Sequence, residues 1–138
     1  MYAITKKIQV LNKAIILKDS FINDEISSSA ELKFICCKCS HENLVKITPY
    51  ESGFPIFQLY HENKILSVDE LLKNSMVKET QKNMLHAGEF TVHNLPTLYF
   101  GTDCESCAAK YIVIFSYGEK QPGLELLSVS GVWEYAEA

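Results

Sequence analysis

The chain contains no arginine: all 13 of its basic residues are lysine. Arginine's planar fork is the usual means of gripping phosphate or guanine with paired hydrogen bonds. Its absence removes the common nucleic-acid footprint, although an AT-rich coding sequence gives the same bias. Long apolar runs are also missing. The longest, Tyr111–Phe115, has five residues, against about 20 for a membrane-spanning helix. The opening stretch, Met1 to Lys7, lacks the apolar block of a signal peptide. The expected location is therefore cytoplasmic, where thiols stay reduced. There is no Gly-x-Gly-x-x-Gly, no phosphate-binding loop, no Gly-x-Ser-x-Gly, and no His-x-x-x-His or His-Glu-x-x-His spacing. His41, His61, His86 and His93 stand singly. Glu119 and Glu125 flank a Pro-Gly turn and Asp69-Glu70 open a helix, so solvation and capping account for these carboxylates. No catalytic residue is assigned, and the chain is not expected to be an enzyme.

What remains is ample for a core. The 138 residues are 47% hydrophobic and 11% aromatic, which suits one globular domain spanning 1–138. The formal charge is −4, and four thiolates around one divalent ion would take it to about −6. The imbalance lies toward the end of the chain. Residues 1–41 hold six lysines and four acids, whereas 101–138 hold two lysines and six acids. Any acidic face is expected from the C-terminal segment.

The pattern predicts an α+β fold, mostly antiparallel β with one principal helix. Ile4 to Leu17 is apolar enough for a strand or a short helix, and periodicity does not decide between them. Residues 19–30 are polar and read as a loop. Residues 31–36 and 43–48 alternate as strands on either side of a cysteine pair, and Pro49 ends the second. Residues 54–60 and 64–67 read as a hairpin around His61-Glu62-Asn63. Ser67-x-x-Glu70 is a capping box, and Val68, Leu71, Leu72, Met76, Met84 and Leu85 at near-helical spacing predict a helix over 68–86, interrupted near Asn74-Ser75. Phe90, Val92 and Thr97–Phe100 then lead as strand to a second cysteine pair, and Lys110 to Tyr117 leaves it. A turn over 118–123, a returning strand over 124–130 and a bulge at Gly131 complete the reading. The aromatics of the last third, from Tyr99 to Tyr135, suit a β core with a partner-facing patch.

Five cysteines are present. Cys36-x-x-Cys39 and Cys104-x-x-Cys107 each place two sulfurs where a tight turn can offer both to one ion. Thiolates are soft ligands that suit zinc, and four of them close its tetrahedral shell. Cys37 lies too near Cys39 for a relaxed pair, so the ligand set is Cys36, Cys39, Cys104 and Cys107. The stretch Phe34-x-Cys36-x-x-Cys39-Ser40-x-Glu42-Asn43 resembles the first knuckle of zinc-ribbon proteins. The resemblance covers about 30 residues around the two pairs. It implies a structural Zn2+ holding two β-hairpin tips together. Glycine usually follows the second cysteine of such a knuckle, where Ser40 and Ala108 stand here. The pairs are separated by 64 residues, far more than a ribbon needs. Each doubling of a loop adds only ~0.6 kcal/mol of closure entropy, whereas structural zinc contributes roughly 10–16 kcal/mol. A folded insertion over about residues 49–95 is therefore tolerable.

Other chemistry stays open at this level. Buried unligated thiols behave as small hydrophobes. A redox Cys-x-x-Cys would open a helix, whereas a strand follows Cys107. A catalytic zinc would need an open position, through His41 or water. A four-sulfur site also accepts iron. Cys37 is either inert or a reactive thiol, and a dyad with His41 would need the knuckle to open. With a structural metal, the working part is the surface. The expectation is a protein–protein interaction module for a basic partner, in the manner of immunity or inhibitor proteins. The alternative is a nucleic-acid- or transcription-associated zinc ribbon, supported by the lysines of the first 40 residues.

Overall fold

The computed structural model describes residues 1–138. The fold is α+β, dominated by antiparallel strands. Short strands β1 (Ile8–Lys13), β2 (Ile15–Ile16) and β3 (Ser20–Ile22) precede the hairpin of β4 (Ala30–Ile35) and β5 (Glu42–Ile47). A middle segment carries β6 (Phe54–Pro55), α1 (Phe57–Tyr60), α2 (Val68–Lys73), β7 (Lys78–Glu79) and β8 (Phe90–Thr91). Three long strands follow: β9 (Thr97–Asp103), β10 (Lys110–Gln121) and β11 (Leu124–Glu137).

The main sheet runs β1-β11-β10-β9-β6, with β3 also pairing with β11. A second sheet runs β2-β4-β5, and β7 pairs with β8. The main sheet is the middle layer. One face presents Phe100, Tyr111, Val113, Phe115, Leu127 and Val129 to Leu32, Phe34 and Ile47 of the second sheet. The other presents Tyr99, Ile112, Ile114, Trp133 and Tyr135 to Leu59, Leu66, Leu71 and Met76 of the middle segment. Tyr111–Phe115 is apolar at every position because both faces of β10 are covered.

A bulge keeps β11 in phase with these two cores. Ile114 pairs with Gly131 but Phe115 pairs with Val129, leaving Ser130 over. Side chains alternate along a strand, so an extra residue exchanges the faces beyond it. Leu127 and Val129 face the second sheet before the bulge, and Val132 does so after it, which frees Trp133 for the opposite core. The bulge expected at Gly131 is thus present. A Cβ there would lie 2.7 Å from the Trp133 ring and 2.9 Å from Lys13 Cε.

Several expectations need correction. The helix over 68–86 is only one turn and a half, Val68–Lys73. Its capping box forms as predicted, with Ser67 Oγ accepting from the Glu70 amide at 3.1 Å and Glu70 Oε1 accepting from the Ser67 amide at 3.2 Å. It then closes through Ser75, at φ 57°, with the Met76 amide donating to the Leu71 carbonyl at 2.9 Å and the Ser75 amide to Leu72 at 3.1 Å. That left-handed closure turns Met76 into the core. Residues 78–79 are strand, and 82–87 form 3-10 turns with Leu85 exposed. The hairpin over 54–67 does not form: only Phe54 and Pro55 join the sheet, and the chain coils so that Leu59 is buried. The loop over 19–30 contains β3, which buries Phe21 against β11. The ambiguous stretch Ile4–Leu17 resolves as strand. Of the late aromatics, Tyr99, Phe100, Tyr111, Phe115, Trp133 and Tyr135 are buried, and Tyr117 alone is half-exposed.

Candidate metal centre

The two cysteine turns sit at the tips of neighbouring hairpins. Cys36–Cys39 joins β4 to β5, and Cys104–Cys107 joins β9 to β10. β4 and β10 contribute to one shared core through Phe34 and Tyr111, whose rings lie 4.9 Å apart. Packing of the two sheets therefore brings the tips together. All four sulfurs lie within 4.8 Å of one another. Across the two tips, Cys36 lies 3.5 Å from Cys107 and Cys39 lies 3.6 Å from Cys104. A tetrahedral ion bound at about 2.3 Å by four thiolates spaces them about 3.8 Å apart. A disulfide needs about 2.05 Å, and all five cysteines are free thiols. The site can hold a metal ion.

The two turns are related by a local two-fold equivalence, each position of the first matching one 68 residues later. The Cys36 amide donates to the His41 carbonyl at 2.9 Å, and the Cys104 amide to Ala109 at 2.8 Å. The Ser40 amide returns to the Cys36 carbonyl at 3.1 Å, and the Ala108 amide to Cys104 at 3.0 Å. Ser40 and Ala108, the positions where a knuckle usually has glycine, both take left-handed backbone, at φ 62° and 61°. The first cysteine of each turn is buried and the second exposed. The cross-tip sulfur pairs obey the same exchange.

The equivalence extends to two side chains to which the sequence assigns no role at the site. Asn43 and Tyr111 each stand four residues after the second cysteine of their own turn, and each reaches across to the other. Tyr111 Oη donates to Cys36 Sγ at 3.2 Å and accepts the Cys37 amide at 2.7 Å. Asn43 Nδ2 donates to Cys104 Sγ at 3.5 Å, while its Oδ1 accepts the Glu105 amide at 2.9 Å. Each therefore supports the opposite turn's first sulfur and pins the residue after it. Both are buried, at 0% and 1% exposure. The shared offset from the cysteines is the only signal in the sequence, and it acquires meaning once the tips are known to face each other.

These donors shape the acidity of the thiols. Burial pushes Cys36 up, but the Tyr111 hydroxyl and the Cys39 and Lys38 amides outweigh it and bring it down to about 6. Cys104 follows the same pattern: burial raises it, and the Cys107 amide with Asn43 carries it below the ordinary thiol value. Cys107 moves the other way. The Ala109 amide lowers it, but burial and the neighbouring cysteines push it up to about 12. Four thiolates this close repel one another, and a cation among them removes the conflict. Burial, first, and then the bond to Cys36 hold the Tyr111 phenol above its usual range, so it remains a donor to sulfur.

The remaining candidates are not brought to the site as ligands. His41 Nε2 faces Glu105 at 3.7 Å. Cys37 is exposed, and burial of its thiol, partly offset by Tyr111, leaves it raised. Lys38 reaches the buried Glu134 at 3.5 Å, which ties the first turn to β11. Neither turn opens a helix. No helix is long and apolar enough to cross a membrane. No family model, curated protein or solved structure matches the chain.

Proposed function

We propose that residues 1–138 are one zinc-stabilised domain whose metal is structural and whose surface binds another protein. The observation that carries the first part is the convergence of Cys36, Cys39, Cys104 and Cys107 with both inner sulfurs already supported by buried donors. Four sulfurs fill a tetrahedral shell, so the ion has no open position for substrate and its role is architectural. It joins β4–β5 to β9–β10, hairpins far apart in the chain. Free thiols at this density fit a reducing, cytoplasmic setting.

Support for the second part is compositional. The net charge of −4, concentrated toward the end of the chain, favours a basic partner through electrostatic steering. An immunity- or inhibitor-type binder is one form this takes. The competing reading, a nucleic-acid- or transcription-associated zinc ribbon, is favoured by the lysine excess of residues 1–41. Elemental analysis of protein purified in reductant tests the metal: one zinc per chain is expected, and its removal by chelator should abolish the cooperative thermal transition. Affinity capture from the native host, repeated at several salt concentrations, tests the surface. A co-purifying basic protein supports the module; retention on DNA or RNA with steep salt dependence supports the competing reading.

A further inference from the structure

A groove of about 480 Å³ runs round the β6 edge of the main sheet. Its walls are aromatic and proline-rich: Tyr50, Phe57, Tyr60, Phe90, Tyr117 and Pro55 line it, and no charged side chain does. The rings are already placed edge to face, Tyr50 on Tyr117 with centroids at 5.3 Å and Tyr60 on Phe90 at 5.5 Å. Aromatic walls of this kind accept flat apolar groups between them.

Tyr50 is the unusual member. It is 93% exposed, yet its backbone sits in the left-handed region at φ 66°. A bulky residue there is strained, and the single ring contact with Tyr117 buries little of it. The ring keeps one edge-to-face contact, on Tyr117, and leaves the rest of its surface free for something outside the chain.

The rim indicates the charge of that occupant. Glu51, Glu89 and Glu119 are exposed, and each adjoins a residue lining the groove; no lysine occupies such a position. Glu119 also stands directly opposite Glu125 in the β10–β11 hairpin, a like-charge pairing that weakens a sheet unless a cation is near. Glu125 accepts a hydrogen bond from the Tyr117 hydroxyl at 3.2 Å. The backbone indicates its conformation. The adjoining edge strand, β6, is two residues long and one is proline, so it offers almost no ladder for an added strand. Recognition must come from side chains, which is how aromatic grooves receive a preformed polyproline II segment.

We propose that this groove binds a proline-rich peptide segment flanked by lysine or arginine. The rings receive the prolines, and the acids at Glu51, Glu89 and the Glu119–Glu125 pair receive the basic flanks. The proposal rests on the interaction-module reading and narrows it to one site and one ligand chemistry.

The test is a titration of the metal-loaded, ¹⁵N-labelled protein with three synthetic peptides. They are a lysine-flanked oligoproline, the same oligoproline flanked by glutamate, and a lysine-flanked Gly-Ser peptide. Saturable amide shifts around residues 50, 57–60, 88–90 and 117–119 are expected with the first peptide only. Tyr50→Gly removes the ring while relieving the backbone, so it should keep or raise thermal stability and weaken binding about 30-fold, the loss typical of an aromatic hot spot. Absence of shifts at millimolar peptide, equal binding of either control peptide, or unchanged binding by Tyr50→Gly each overturns the proposal. So does concentration-dependent dimerisation that is lost in Tyr50→Gly, which would make a second copy the occupant. A partner captured from the host equally well by wild type and Tyr50→Gly would leave the interaction module standing and refute the groove.

Discussion

Replacing Tyr111 by Phe deletes one oxygen atom from the metal centre and nothing else. The ring stays between the sheets, against Phe34 at 4.9 Å, so the core keeps its volume. Lost are the donor to Cys36 Sγ at 3.2 Å and the acceptor for the Cys37 amide at 2.7 Å. A hydrogen bond to a charged group contributes about 1.5–3 kcal/mol. Water can replace the acceptor, because Cys37 is exposed, so that loss adds little. Removal of a group that orients a metal ligand typically weakens metal binding by roughly 10–100-fold, which is about 1.4–2.7 kcal/mol. The two routes agree, and the expected outcome is zinc binding weakened about 30-fold. Competition against a chromophoric chelator in reductant measures it directly. Tyr117→Phe is the control, since its hydroxyl bonds Glu125 toward the end of β10 remote from the cysteines; its zinc affinity should not change. Tyr111→Phe with affinity within about threefold of the parent would refute the role given to the hydroxyl.

The two-fold equivalence makes further outcomes specific. Asn43→Ala should weaken metal binding by a similar factor, because it strips Cys104 and the Glu105 amide of their partner; the same competition assay reads it. Ser40→Gly and Ala108→Gly should each stabilise the metal-loaded protein by about 1 kcal/mol, because both residues are exposed and left-handed; denaturant midpoints report the gain. Gly131→Ala should destabilise by about 1–3 kcal/mol, since its methyl would press into the Trp133 ring at 2.7 Å; loss of the bulge would appear as altered tryptophan fluorescence together with a lowered melting temperature. Leu71→Ala, a fully buried change under the opposite face of the main sheet, should cost about 2–5 kcal/mol while leaving zinc affinity intact.

The centre was legible in the sequence to the extent that its chemistry is local. Two Cys-x-x-Cys units between alternating runs name the four sulfurs that the fold brings within 4.8 Å of one another, and Cys37 lies outside that cluster. Asn43 and Tyr111 were not legible, because their partners lie 61 and 75 residues away in the chain and only the packing of two sheets joins them. The fold shows the same division. The capping box at Ser67 and the bulge at Gly131 are short-range devices and leave a local signature. The spacing over-extends the helix beyond Lys73 because Met76 has helical spacing but reaches the core through a left-handed closure at Ser75. Leu59 and its neighbours looked like strand because a short apolar run has no period long enough to separate strand from helix. Three-residue β3 leaves little local signal because its only buried residue, Phe21, is stabilised by a partner strand more than 100 residues later.

The ligands of the metal are the most direct point at which the proposed centre can be tested. X-ray absorption at the zinc edge, on protein purified in reductant, should show four sulfur neighbours at about 2.3 Å and no lighter ones. A first shell containing nitrogen or oxygen at about 2.0 Å, or protein without metal, would contradict it.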